Sequence, residues 1–216
     1  MPVETKICGI NTPAALDAAV CNGAAYVGFV FYPPSPRALT PEAAAPLAHA
    51  AAGAVRRVGL FVDADDSTIA CTLALAPLDL LQLHGRETPA RVRAVRERFG
   101  LPVMKAVPVA GPEDIEAAGA YLAAADLLLF DAKPPRDMKG ALPGGNALSF
   151  DWQLLAGRRW PLPWMLSGGL TAENVAEAVR ISGARAVDVS SGVEERPGRK
   201  DPARISAFLR RTAALA

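Results

Sequence analysis

Three observations predict a closed (β/α)8 barrel. Eight short apolar runs recur along the 216 residues, and Ala-rich segments of helical character separate them. The spacing is 216 divided by eight, or 27 residues per repeat, close to the roughly 30 of one βα crossover unit. That length lies near the lower end of the barrel's size range. A doubly wound open sheet is the alternative, but its phosphate loop follows the first strand. Here Cys8-Gly9-Ile10-Asn11 follows, which is not a glycine-rich fingerprint. No Pro/Ser-rich linker divides the chain, so residues 1–216 read as one domain.

The runs are Val3–Cys8, Tyr26–Phe31, Arg57–Val62, Leu78–Leu83, Pro102–Val107, Asp126–Asp131, Pro163–Ser167 and Ala186–Ser190. Each has the usual strand length. Nearly continuous apolar content suits strands of a parallel sheet covered on both faces. An amphipathic helix is expected after every run. Thr12-Pro13, Thr40-Pro41, Thr88-Pro89 and Asp201-Pro202 mark starts, since the cap side chain satisfies an orphan N–H and proline has none to satisfy. Thr171 with Asn174 marks another start, and Gly111-Pro112 a weaker one. Pro46 falls inside the helix expected from Pro41 and should bend it or delay its start.

Composition narrows the function. Lys and Arg number 23 against 22 Asp and Glu, so the chain lacks the overall basic excess usual in nucleic-acid binders. With 51% hydrophobic and 21% charged residues, disorder is excluded. No apolar run approaches the roughly 18 residues that span a bilayer. MPVETKICGI carries no secretion signal. Cys8, Cys21 and Cys71 are an odd number with no CxxC, against a disulfide framework or structural zinc. The expectation is a reduced, soluble, cytoplasmic globular protein with neither nucleic acid nor membrane as partner.

In this barrel the chemistry sits where strands end and loops begin. The polar residues there are Lys6, Cys8, Asn11, Ser35, Arg37, Asp63, Gln82, His84, Lys105, Asp131, Lys133, Ser167, Asp188 and Ser190. Leu166-Ser167-Gly168-Gly169-Leu170 and Val189-Ser190-Ser191-Gly192-Val193 end adjacent strands. Their small residues let backbone amides approach an anion, and this is the usual phosphate position of the fold. Cys8 ends a strand with Lys6 two residues earlier on the same side, where a cation would favour thiolate. Cys21 and Cys71 fall on helix patterns and read as small buried hydrophobes. Asp131 ends the most apolar strand, surroundings that favour its protonated form. Pairing with Lys133 or Lys105 is the alternative. Arg37, on the stiff loop Tyr32-Pro33-Pro34-Ser35-Pro36, suits a planar carboxylate. His84 reads as a hydrogen-bonded supporting group and His49 as surface or packing. Ala132–Ser149, rich in Pro and Gly, is long enough to be a lid.

These motifs coincide with one family. The chain closely resembles phosphoribosylanthranilate isomerases of tryptophan biosynthesis. KICG (Lys6–Gly9), GFVFYPPSPR (Gly28–Arg37), VGLFV (Val58–Val62), QLHG (Gln82–Gly85), LLFDAK (Leu128–Lys133) and GG…FDW (Gly144–Trp152) carry the resemblance, followed by LSGGL (Leu166–Leu170), DVSSGVE (Asp188–Glu194) and PGRKD (Pro197–Asp201). They fall in family order over almost the whole chain. The family often has Thr-Gly after the lid's paired glycines, where this chain has Asn146-Ala147. The resemblance implies that Cys8 is the general base and Asp131 the general acid. It implies that Arg37 holds the anthranilate carboxylate and that Gly168, Gly169, Ser190, Ser191 and Gly192, with Asp188 beside them, hold the phosphate. The implied reaction converts a small-molecule aminoaldose, phosphoribosylanthranilate, to an aminoketose, a rearrangement that needs no metal or cofactor. The alternatives are another sugar-phosphate isomerase and a non-catalytic barrel that binds a phosphate ligand.

Overall fold

The computed structural model describes residues 2–135, 137–138 and 142–215. Eight parallel strands close into a barrel: β1 (Glu4–Cys8), β2 (Tyr26–Val30), β3 (Arg56–Phe61), β4 (Leu80–Leu83), β5 (Val103–Val109), β6 (Leu127–Ala132), β7 (Trp164–Leu166) and β8 (Ala186–Val189). Lys6 on β1 stands opposite Tyr26 on one side and Asp188 on the other. The first strand pairs with the last as well as with β2, which closes the ring and excludes the open sheet.

Strand periodicity places the site. Successive side chains point to opposite faces, so each strand sends one set inward and one toward the helices. The inward set fills the barrel with Tyr26, Val58, Leu80, Met104, Leu129, Met165 and Ala186. Two residues further along the same faces stand Gly28, Leu60, Gln82, Ala106, Asp131, Ser167 and Asp188. The outward set, including Ile7, Val27, Phe29, Phe61, Leu81 and Phe130, packs with the helices into the main core.

The helices are α1 (Pro13–Cys21), α2 (Pro41–Ala50), α3 (Asp66–Leu75), α4 (Pro89–Phe99), α5 (Pro112–Ala117), α6 (Val175–Ser182) and α7 (Pro202–Ala213). Thr12, Thr40, Thr88 and Asp201 cap their helices through side-chain oxygens, each followed by proline. Gly111 has no side chain to cap with, so Asp114 reaches back to the Ala110 and Gly111 amides, at 2.8 and 3.3 Å. The cap of α6 is Asn174, whose side chain accepts from Thr171 N. The cap therefore stands three residues beyond Thr171, and the helix begins at Val175.

Of the two outcomes expected of Pro46, a bend or a late start, the late start does not occur, since α2 runs through it from Pro41. Pro46 and Glu42 are both exposed, so the Glu42 carbonyl that Pro46 cannot engage has access to water. Among the described residues no α-helix stands between β6 and β7, contrary to the expectation of one after every run. Only a 3-10 turn, Trp152–Leu155, precedes β7, because Pro134, Pro135, Pro143, Gly144 and Gly145 interrupt any helical register. After β8 a 3-10 turn (Ser191–Val193) and a hairpin of β9 (Glu194–Arg196) and β10 (Arg199–Lys200) come before α7. Among the described residues no helix is long and apolar enough to cross a membrane.

Candidate active site

Lys6 and Cys8 lie on the inward face of β1. Lys6 is fully buried, and its Nζ donates to Asp188 Oδ1 at 2.9 Å. Asp188 Oδ2 accepts from Ser167 Oγ at 3.2 Å. Gly28 on the neighbouring strand makes room for this pair, since a Cβ there would stand 3.1 Å from both Cys8 Sγ and Lys6 Nζ. Burial opposes the charge on Lys6, but Asp188 outweighs it and raises the ammonium above the ordinary lysine range. At Cys8 the balance goes the other way. Burial pushes the thiol up, Lys6 opposes the rise and Asp188 adds to it. The expectation that Lys6 lowers this thiol is therefore corrected. Desolvation at a residue only 4% exposed outweighs one cation already shared with a carboxylate.

Arg37 reaches the mouth from the loop after β2. Its Nε and Nη2 donate to the two carboxylate oxygens of Glu194, each at 2.8 Å. Nη2 also donates to Gly145 O at 3.2 Å. One fork of the guanidinium is thus occupied inside the protein, and Nη1 is left without a protein acceptor among the described residues. Gly9, at φ +81°, lets Arg37 lie this close, because a Cβ would meet its Cδ at 2.8 Å. Lys200 completes the group, donating to Glu194 Oε1 and Ser190 O, both at 2.8 Å. Burial works against the Glu194 carboxylate, yet the Arg37 hydrogen bonds and the Lys200 charge hold it below the ordinary carboxylate range. Burial dominates at Lys200 and lowers it, with Glu194 opposing.

Asp131 faces the same cavity from β6. Its Oδ1 accepts from Ala132 N at 2.9 Å, and its Oδ2 meets His84 Nε2 at 3.2 Å. Neither lysine proposed as its partner reaches it. Lys133 pairs with Asp114 at 2.7 Å. Lys105 pairs with Glu87 at 2.8 Å on the outward face of β5. Counting Lys105 as a mouth residue is corrected by parity, since its neighbours Met104 and Ala106 take the inward positions.

The segment after β6 folds over the mouth. Leu142, Pro143, Gly144, Gly145, Asn146, Ala147 and Leu148 line the cavity. Gly140, counted in the lid on sequence grounds, lies outside the described residues. Asn146 closes the loop on itself, accepting from Leu142 N at 3.1 Å and donating to Leu142 O at 2.7 Å. Gly168 and Gly169 lie beneath it in the left-handed region, φ +92° and +61°. A Cβ on Gly168 would meet Ala132 N at 2.8 Å, and one on Gly169 the Leu148 carbonyl carbon at 2.9 Å. The amides of Gly168, Gly169, Ser191 and Gly192 have no protein acceptor among the described residues. Such amides are anion donors in waiting.

Cys8, Arg37, Asp131, Gly168, Gly169, Asp188, Ser190 and Ser191 line one cavity. Gly192 lies in an adjoining cleft with Gly169 and Ser191. Asp188 reaches the cavity, but both its oxygens are already engaged by Lys6 and Ser167. Asn11 instead ties a loop, donating to Gly198 O at 2.8 Å. Cys21 and Cys71 are on α1 and α3 as expected, yet both are exposed, since they fall on the outer helix faces. His49 is exposed on α2. Glu194 and Lys200 were missed as site residues. Their signal was present in DVSSGVE and PGRKD, but only the hairpin's fold-back carries them to the mouth.

Comparison with known proteins gives the family. The family model described as N-(5'-phosphoribosyl)anthranilate isomerase matches residues 5–211. A curated relative of that name from Paramagnetospirillum magneticum is 63% identical over 97% of each chain. The crystal structure of phosphoribosyl anthranilate isomerase from Thermotoga maritima is 38% identical, with TM-score 0.86 over 97% of this chain and 98% of that one. A solved complex of such an enzyme with reduced 1-(o-carboxyphenylamino)-1-deoxyribulose 5-phosphate matches at 36% identity and TM-score 0.82, over 97% and 98% of the two chains. From barrel, cavity and likeness together, this chain belongs to the phosphoribosylanthranilate isomerase family.

Proposed function

We propose that the chain converts N-(5-phosphoribosyl)anthranilate to its aminoketose isomer in tryptophan biosynthesis, with Asp131 as general acid and Cys8 as general base. One observation carries the assignment of roles. Cys8 and Asp131 open into one cavity from strands three apart around the ring, β1-β8-β7-β6. The unpaired amides at the ends of β7 and β8 lie between them, and Arg37 stands beside them.

The chemistry follows from that spacing. Asp131 gives its proton to the furanose ring oxygen, and the C1–O bond breaks to leave a Schiff base. The Cys8 thiolate takes the proton from C2, and the electron pair moves to form an enolamine. Tautomerisation of the enolamine gives the aminoketose. The ligand's phosphate lies against Gly168, Gly169, Ser191 and Gly192, with Ser190 shaping the loop. Arg37 Nη1 meets the anthranilate carboxylate. Asp188 acts through Lys6, keeping it charged beside the thiol.

Loss of the substrate's anthranilate fluorescence measures the reaction directly. Wild type should turn the substrate over, and Cys8→Ala should lower kcat by at least about 10²–10⁴-fold with affinity largely kept. Tight binding without turnover by wild type would make the chain a ligand-holding barrel. Activity of Cys8→Ala within a few-fold of wild type would remove Cys8 from the role of base.

A further inference from the structure

Gln82 and His84 share the inward face of β4, behind Asp131. Gln82 is fully buried, and its Nε2 lies 2.7 Å from His84 Nδ1. With the amide nitrogen turned to Nδ1 it donates, Nδ1 accepts, and the imidazole proton sits on Nε2. That N–H then donates to Asp131 Oδ2 at 3.2 Å. With Ala132 N on Oδ1, both carboxyl oxygens have a partner and the plane of the group is set.

We propose that Gln82 and His84 are positioning residues for Asp131, the amide choosing the imidazole tautomer and the imidazole aiming the carboxyl into the cavity. The inference rests on reading Asp131 as the acid.

Two further observations support it. First, Gln82 Oε1 is buried with no hydrogen-bond partner. An unsatisfied buried acceptor is destabilising and needs a reason. The contact with His84 Nδ1 accounts for a polar group at position 82 but does not explain the idle Oε1. Proton bookkeeping does. Turned over, the amide would place Oε1 against Nδ1–H, leaving a bare Nε2 that accepts only from a protonated Asp131. The two amide orientations thus match the two states through which an acid must pass. Each orientation leaves the far amide atom unpartnered, and the observed one matches the carboxylate. Second, the lid closes on this contact. A Cβ on Gly144 would stand 2.6 Å from both Asp131 Oδ2 and His84 Nε2, so only glycine lets the loop backbone cover the bond and keep water from it.

The platform beneath His84 is tied down independently. His84 N donates to Phe61 O at 2.8 Å. Lys105 Nζ donates to Leu83 O, Gly85 O and Glu87 Oε2, at 3.2, 2.7 and 2.8 Å. Glu87 Oε1 accepts from Asp63 N at 2.9 Å. The imidazole is therefore carried on backbone braced from outside the barrel, where a positioning group needs its support.

The test uses Gln82→Met, His84→Leu and His84→Gln. Methionine keeps the length of Gln82 without a hydrogen bond. Glutamine at 84 keeps a donor near the position of Nε2. The chain has only two histidines, so the ¹⁵N imidazole signals of His84 can be separated from those of His49. Wild type should show His84 protonated at Nε2 and bare at Nδ1, and Gln82→Met should lose that preference. Gln82→Met and His84→Leu should lower kcat on the order of 10–100-fold, the effect outer partners have at metal sites, with KM held within a few-fold. His84→Gln should recover most of the loss. The inference is overturned if Gln82→Met keeps both the wild-type tautomer and kcat, if KM alone moves, or if His84→Gln is as poor as His84→Leu. Should His84→Leu fail to fold, Gln82→Met decides alone. Asp131→Asn, run beside them, separates the two levels. Near-normal activity there would refute the acid assignment itself, whereas a large loss there with indifferent Gln82→Met refutes only the positioning.

Discussion

Glu194→Gln probes the charged group at the mouth most directly. Glu194, Arg37 and Lys200 are 5%, 4% and 6% exposed. The carboxylate accepts three charge-assisted bonds, two from Arg37 and one from Lys200, all at 2.8 Å. An amide keeps one acceptor and turns two N–H groups toward cations, leaving buried positive charge unpaired. Removing one partner of a buried pair costs about 3–5 kcal/mol. The Glu4–Arg56 pair has side chains 50% and 55% exposed, so Glu4→Gln should cost at most about 1 kcal/mol. With a urea dependence of about 1–3 kcal/mol per molar, the Glu194→Gln midpoint should fall by roughly 1–2 M or more, and the Glu4→Gln midpoint by far less. The pH dependence has a definite sign. The folded Glu194 is held below its ordinary value, so its stabilisation is present above the unfolded value near ~4.3 and is lost as pH falls through the folded one. The gap between wild type and variant should stay constant from pH 7 down toward 5, then narrow. KM should rise as well, because Arg37 loses the clamp that orients it. An unchanged midpoint at pH 7, or a gap already closed at pH 6, would refute the argument.

Arg37→Lys keeps the charge but loses the planar fork, and should weaken substrate by roughly 1–3 kcal/mol. An aminosugar phosphate without the aromatic carboxylate should bind wild type and variant alike, and unequal binding would show that Arg37 does not read that carboxylate. Cys8 should react with iodoacetamide with a midpoint above the ~8.5 of free cysteine, since burial raises the thiol; a midpoint below it would mean the cations outweigh desolvation. Ala147 holds φ +57° in the lid, a conformation costing an L-residue roughly 1–2 kcal/mol. Ala147→Gly should relieve part of that strain, and equal or lower thermal stability would count against it.

Much of the barrel was legible because parallel strands buried on both faces leave continuous apolar runs. β2 begins at Tyr26 and β8 at Ala186, as the runs predicted, and the Thr-Pro and Asp-Pro caps mark four helix starts. The failures are local signals overruled by context. Lys105 was read by its place near a strand end, but strand parity decides the face and turns it outward to Glu87. Pro46 was read as bending α2 or delaying its start, yet the helix starts at Pro41, with Pro46 exposed. Cys8 was read through its cation, but the burial that dominates its thiol comes from neighbouring strands and the lid, which no nearby residue reports. Glu194 and Lys200 lie 157 and 163 positions from Arg37 in the chain, so only closure of the ring and the β9–β10 hairpin bring them together.

The charges around Cys8 explain why the proposed phosphate site is built from backbone. Lys6, Arg37 and Lys200 supply three cations, and Asp188 and Glu194 answer two of them. Among the described residues, this group therefore has one positive charge to spare. A thiolate at Cys8 can use that surplus, and so can an anionic ligand, but each use diminishes the other. A phosphate held by lysine would compete with the base for the cation that the base needs. Amides at Gly168, Gly169, Ser191 and Gly192 avoid the conflict, because they bind an anion through fixed dipoles and carry no net charge. The glycines are required for the same reason. A Cβ at Gly192 would fall 1.9 Å from Leu170 O, so the loops can pack this closely, with their N–H groups free, only where side chains are absent. The small-residue loops after β7 and β8 thus keep the phosphate from drawing on the cations that the thiol and the anthranilate carboxylate use.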